Sequence, residues 1–158
     1  MRWKNLMLGL LACAAPAAAM AQNEVSVERG RYLVMTTGCN DCHTAGYGPM
    51  EGNVPEEDWL KGDSVGWRGP WGTTYAVNLR IRLNEMSEDD WVAHAQTFKT
   101  RPPMPWFNVN VMTEADLRSL YQYVTSFEEL GEPAPEYLPP SEDPEGPVIQ
   151  FPDMPPPQ

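Results

Sequence analysis

"TTGCNDCHTAG", residues 36–46, sets Cys39 and Cys42 three positions apart and puts His43 directly after the second. The chain of 158 residues has three cysteines and two histidines in all, so one short stretch holds two of the cysteines and one of the histidines. Cys-x-x-Cys-His is the attachment pattern for a c-type haem. Two thiols on one helical turn can make thioether links to the two vinyl groups of one porphyrin, and the next residue then lies under the iron as an axial ligand. Two other chemistries use the same residue types. A zinc site needs about four ligands, and His43 stands too close to both thiols to complete a tetrahedron with them easily. A redox disulfide of this spacing sits at a strand-to-helix junction in a βαβ unit and has no use for His43. No such unit is legible here. The expectation is therefore one haem c, covalently held by Cys39 and Cys42, with His43 on the iron.

The N-terminus bears on where that chemistry happens. "MRWKN" is a basic start, "LMLGLLACAAPAAA" a short apolar run, and "AMA" precedes Gln22 with small residues where a signal peptidase reads. A membrane span needs roughly 20 apolar residues, more than this run offers. The reading is a signal peptide over 1–21, cut after Ala21, and a periplasmic mature protein with no integral membrane span. "LLAC" also resembles a lipoprotein site at Cys13, but the apolar stretch before it is shorter than the usual core of roughly 7–15 residues. Cleavage removes Arg2 and Lys4 and no carboxylate, so a net charge of −11 becomes −13. Nucleic acid and anionic membranes are poor partners for such a charge, whereas a redox protein with a basic docking face suits it. Nothing in the sequence points to a particular oligomeric state.

Residues 24–38 read as a helix with Tyr32, Leu33 and Met35 on one side and Gly38 at its end. Residues 47–80, rich in Gly and Pro, read as a long loop with at most a short helix around "PEEDWL". Residues 86–99 open on Ser87 with Asp90 three later and carry Trp91, His94, Ala95 and Phe98 at helical spacing. The prolines of "RPPMPWFNVNV", 101–111, argue against regular helix. Residues 113–127 form the clearest helix, with Leu117, Leu120, Tyr121 and Val124 as its stripe. No strand is expected. Beyond residue 127, ten prolines in 31 residues make an extended tail, draped or mobile. The division is thus 1–21, 22–127 and 128–158.

"ERGRYLV…GCNDCHTAG", "GPWGTTYAVNLR", "MSEDDWVAHAQ" and "PPMPWFNVNVMTEADLRSLYQYV" together resemble the class I cytochromes c. They are most similar to the single-haem modules in the cytochrome subunits of bacterial alcohol and sugar dehydrogenases. The likeness covers about 100 residues, 28–127. Those subunits often carry three such modules and a membrane anchor; one module and no anchor are legible in this sequence. The resemblance implies an all-α fold around one covalent haem. It also implies electron transfer without catalytic residues, between a dehydrogenase or quinol-side donor and a terminal acceptor. A subunit of an oxidoreductase complex is the alternative. A haem sensor or peroxidase-like enzyme is a further one and would need an exchangeable ligand.

The resemblance further implies a distal methionine on a loop before the last helix. Of Met35, Met50, Met86, Met104, Met112 and Met154, position selects Met104, which lies 61 residues after His43 and nine before Thr113. Buried methionine also serves as a gap filler. His94 is the rival ligand, although its apolar helix face suits a core residue. Arg68, Arg80, Trp71, Tyr75 and Asn78 fall in the loop expected to wrap the haem edge, where they would hold its propionates.

Overall fold

The computed structural model describes residues 24–152. Residues 1–21, read above as a signal peptide and including Cys13, and Met154 lie outside that range. Helix α1 (Val27–Thr36) starts where the Ser26 hydroxyl accepts from the Arg29 amide and ends two residues before Gly38, whose φ is 77°. Its buried face is Gly30, Leu33 and Val34, spaced i, i+3, i+4. Tyr32 and Met35, expected on the packed side, are exposed. Helix α6 (Glu114–Thr125) is capped by Thr113 and buries Leu117, Leu120, Tyr123 and Val124. Tyr121 stays half-buried, its hydroxyl donating to Met86 O at 2.9 Å.

These two helices make the central pair of the fold. They approach so closely at Gly30 that a Cβ there would run into Ser119 O and would lie 2.6 Å from Tyr123 Cβ. A 2.8 Å ion pair between Arg29 and Asp116 closes one end. Leu33, Val34, Leu120 and Val124 form the core with Leu60 and Trp59, which follow a 3₁₀ turn at Glu56–Asp58. Glu56 secures that turn, accepting from Arg31 at 2.9 Å and from the Tyr123 hydroxyl at 2.8 Å.

Helix α2 (Cys39–His43) is one turn long, and α3 (Leu79–Asn84) follows the long loop with Asn78 as its cap. Helix α4 (Glu88–Ala95) is capped by Ser87. It docks on α6 through Trp91 Nε1, which donates to Leu117 O at 2.8 Å, and through Arg118 ion pairs to Glu88 and Asp89. Short α5 (Trp106–Asn110) begins directly after Pro105. Helix had not been expected in 101–111. The three prolines all precede its first turn, where their missing N–H groups cost nothing.

The fold is not all-α, and this corrects the sequence reading. Strands β1 (Gly66–Gly69) and β2 (Gly72–Thr74) form an antiparallel hairpin, and β3 (Val148–Gln150) adds in parallel to β1. The hairpin turn is Gly69-Pro70-Trp71-Gly72, with Gly72 at φ 104°. Its strands are too short to show an alternating pattern. β3 takes its partner from about 80 residues upstream, and local sequence does not signal such pairing. Residues 128–152 lie along the domain: Leu138 and Thr73 exchange backbone bonds of 2.8 and 3.0 Å, and Phe151 N donates to Arg68 O at 2.8 Å.

The contact at Gly30 gives a direct test. Gly30→Ala should lower unfolding stability by about 1–3 kcal/mol through overpacking of α1 on α6. Denaturant titration measures it, and an unchanged midpoint would mean the helices separate without cost.

Candidate functional site

Gly38 lets the chain turn sharply out of α1, and the next residues wind once into α2. This turn is bolted down from behind. Thr44 Oγ1 donates to Asn40 Oδ1 at 2.8 Å and accepts from Leu60 N at 2.8 Å, while Gly62 N donates to His43 O at 2.8 Å. His43 is buried, and its Nδ1 lies 2.8 Å from Val77 O. A carbonyl only accepts, so Nδ1 carries the proton and Nε2 of the neutral ring keeps its lone pair. Burial pulls the His43 pKa below its ordinary value, which favours that neutral form, against the opposing pull of the Val77 carbonyl.

Neither Cys39 nor Cys42 is in a disulfide. Burial pushes both thiols up from their usual range. A redox-active or nucleophilic cysteine needs the opposite shift. Among the described residues, no three His, Cys, Asp or Glu side chains converge as a metal-ion site, so zinc lacks its ligand set.

Cys39, Cys42 and His43 open onto a cavity of about 890 Å³. That lies within the roughly 300–1,000 Å³ of small-molecule and cofactor sites. Met104 lines the same cavity, as do Tyr75 and His94. Among the described residues, the only charged side chains in its lining are Arg82 and Lys99, although the chain carries twice as many carboxylates as cations.

Four expected residues stand elsewhere. Arg80 is 1% exposed and serves as a clamp: it donates to the carbonyls of Trp59, Glu129 and Glu57 at 2.8–2.9 Å and lies 3.7 Å over the Phe127 ring. Asn78 caps α3 and donates to Leu130 O and Glu132 O at 2.7 and 3.0 Å. Trp71 packs on Phe151 and does not line the cavity, but its buried Nε1 has no partner among the described residues. Arg68 also points away, bonded to Asp143 at 2.8 Å.

Trp67 and Thr74 were not foreseen. They are cross-strand partners in the hairpin, so both present to the cavity from one face of the sheet. Thr74 Oγ1 is buried there without a partner. The Gly-Pro of "GWRGPWGTT" was the available signal, since it marks a turn between two short extended pieces. Of the other methionines, Met112 lines the cavity, whereas Met35 and Met50 are exposed. No helix among the described residues is long and apolar enough to cross a membrane.

The clamp assignment for Arg80 is testable. Arg80→Met should cost roughly 3 kcal/mol, because it strands several buried carbonyls. It should leave the optical spectrum of the protein unchanged. A spectral change at undiminished stability would return Arg80 to the cavity.

Over 129 residues, the chain is 32% identical to the gluconate 2-dehydrogenase cytochrome c subunit of Pantoea cypripedii, covering 75% of this chain and 26% of that protein. It therefore spans about a quarter of that relative's length. No family model matches the sequence. No solved structure matches it either.

Proposed function

We propose that this chain is a periplasmic mono-haem cytochrome c that carries single electrons. One observation carries the reading. Cys39, Cys42, His43 and Met104 line one cavity, and the Val77 hydrogen bond leaves His43 Nε2 as the free nitrogen. The surroundings fit the group. The cavity is of cofactor size and has aromatic walls. Thr74 Oγ1, in the cavity wall, is a buried hydrogen-bond donor without a partner among the described residues, the kind a propionate carboxylate would satisfy.

Haem bound there would supply an iron that cycles between its ferric and ferrous states. Cys39 and Cys42 would hold it by thioether bonds. His43 would ligate through Nε2, and its Nδ1–H to Val77 O fixes the ring orientation and raises the basicity of the ligating nitrogen. Met104 would supply a second ligand from a loop stiffened by Pro102, Pro103 and Pro105, and a thioether ligand would raise the potential relative to a second histidine. With His43 and Met104 both holding the iron, the group would serve electron transfer rather than substrate binding.

The similarity to a dehydrogenase cytochrome subunit supports a redox-protein partner, either as a tightly held subunit or as a donor met by diffusion. Cleavage after Ala21 would deliver the chain to the periplasm. The net negative charge suits a partner with a basic docking face and disfavours nucleic acid.

One observation favours a second ligand set. His94 lines the same cavity, its ring stacked on Phe98 at 5.2 Å with no hydrogen bond among the described residues. Paired variants separate the two. Met104→Ala should abolish the methionine-to-iron charge-transfer band, lower the reduction potential and admit carbon monoxide to ferrous iron. His94→Gln should keep the band. The reverse pattern would make His94 the ligand.

Association should also respond to salt. Binding to a basic redox partner should slow as ionic strength rises to physiological levels, where the screening length is about 8 Å. A flat rate across that range in stopped-flow mixing would assign the acidity to solubility alone.

A further inference from the structure

The C-terminal segment joins the β-hairpin to the loop that carries Met104, two stretches that lie far apart in sequence, and Tyr137 is the residue that touches both. Its ring receives the Arg101 guanidinium at 3.6 Å from the centroid, and its hydroxyl donates to Trp71 O at 2.8 Å. Behind it, Leu138 pairs with Thr73 on β2. The fit there is tight: a Cβ on Gly72 would run into Leu138 O and would lie 2.9 Å from the Tyr137 ring. Further along, Arg68 holds Asp143, and β3 pairs with β1, so this end of the strap is firmly anchored to the hairpin.

The other end is the loop that carries Met104. Arg101 makes no ion pair among the described residues, in a chain where carboxylates outnumber cations two to one, and instead stacks on a tyrosine of the strap. Only Pro102 and Pro103 separate Arg101 from Met104, and both have φ fixed by their rings. A restraint on Arg101 is therefore passed along a stiff segment to Met104. The far side of the loop is held separately, by Asn110 Nδ2 donating to Ala95 O at 2.7 Å.

We infer that Tyr137 and Arg101 are positioning residues that keep the Met104 thioether at the iron, which makes the tail a strap across the methionine loop. This rests on the haem ligation proposed above. A thioether is a weak ligand, and its occupancy depends on the effective concentration at which the loop presents it. The Arg101–Tyr137 contact raises that concentration without touching the iron.

The test uses full-length holoprotein and two readouts, the methionine-to-iron charge-transfer band and the rate of carbon monoxide binding to the ferrous form. Tyr137→Ala and Arg101→Gln should each weaken the band and speed carbon monoxide binding roughly tenfold, as the cation–π contact is lost. Tyr137→Phe keeps the ring under Arg101 and should restore wild-type values for both. Wild-type band and rate in Arg101→Gln overturn the inference, even where Tyr137→Ala lowers the melting temperature. Arg101 is exposed, so this variant decides the matter if Tyr137→Ala does not yield folded protein. A wild-type chain without covalent haem, or a band that survives Met104→Ala, is a different failure and overturns the ligand assignment itself.

Discussion

The hydrogen bond from His43 Nδ1 to Val77 O holds the rest in place. It joins the single turn that carries both cysteines to the chain leaving the β-hairpin. It also chooses the tautomer. Burial favours the neutral imidazole, and its one N–H, on Nδ1, donates to the carbonyl, so Nε2 is left with its lone pair. Behind the ring, Thr44 and Gly62 tie the same turn to the core residue Leu60 and to the start of the long loop. The attachment motif is thus supported by three segments that are separate in sequence.

A chain of this size does not keep about 890 Å³ empty at no cost. Protein interiors pack at about 0.74 of their volume with few voids larger than a water molecule. Leu33, Val34 and Leu120 form the core beside this space, and Val34 and Leu120 also line it. In the proposed account the occupant completes the hydrophobic core as well as supplying the chemistry. Covalent attachment then matters twice, since it retains the group and keeps the core filled. The tail contributes in a different way. It adds a third strand to the hairpin and stacks Phe151 on Trp67 and Trp71, which braces one cavity wall from outside.

Much of this was legible in local sequence where a local rule governs. Ser87 and Thr113 cap their helices as their spacing suggested, and Leu117, Leu120 and Val124 pack as read, with Tyr123 rather than Tyr121 completing the buried stripe. The cysteine pair and its histidine could be found because their chemistry demands adjacency. What escaped depends on distant partners. β3 is three residues among prolines and exists only because Gly66–Arg68 offers an edge. Arg80 and Asn78 sit in the stretch expected to wrap a cofactor, yet both turn to the carbonyls of residues 129–132, which the sequence does not place beside them. Trp67 and Thr74 reach the cavity only as members of a hairpin. Met104 and His94 line one cavity together, so position along the chain was never going to separate them.

The central claim is covalent attachment at the turn between Gly38 and Thr44. The most direct measurement is the mass of the tryptic peptide spanning residues 32–61, which is bounded by Arg31 and Lys61 and contains both cysteines. The protein should be made in a host with working cytochrome c maturation and digested after denaturation. The account predicts that this peptide carries the mass of one haem, that no other peptide does, and that neither thiol can be alkylated. A peptide of bare mass, with Cys39 and Cys42 free or joined in a disulfide, would contradict it.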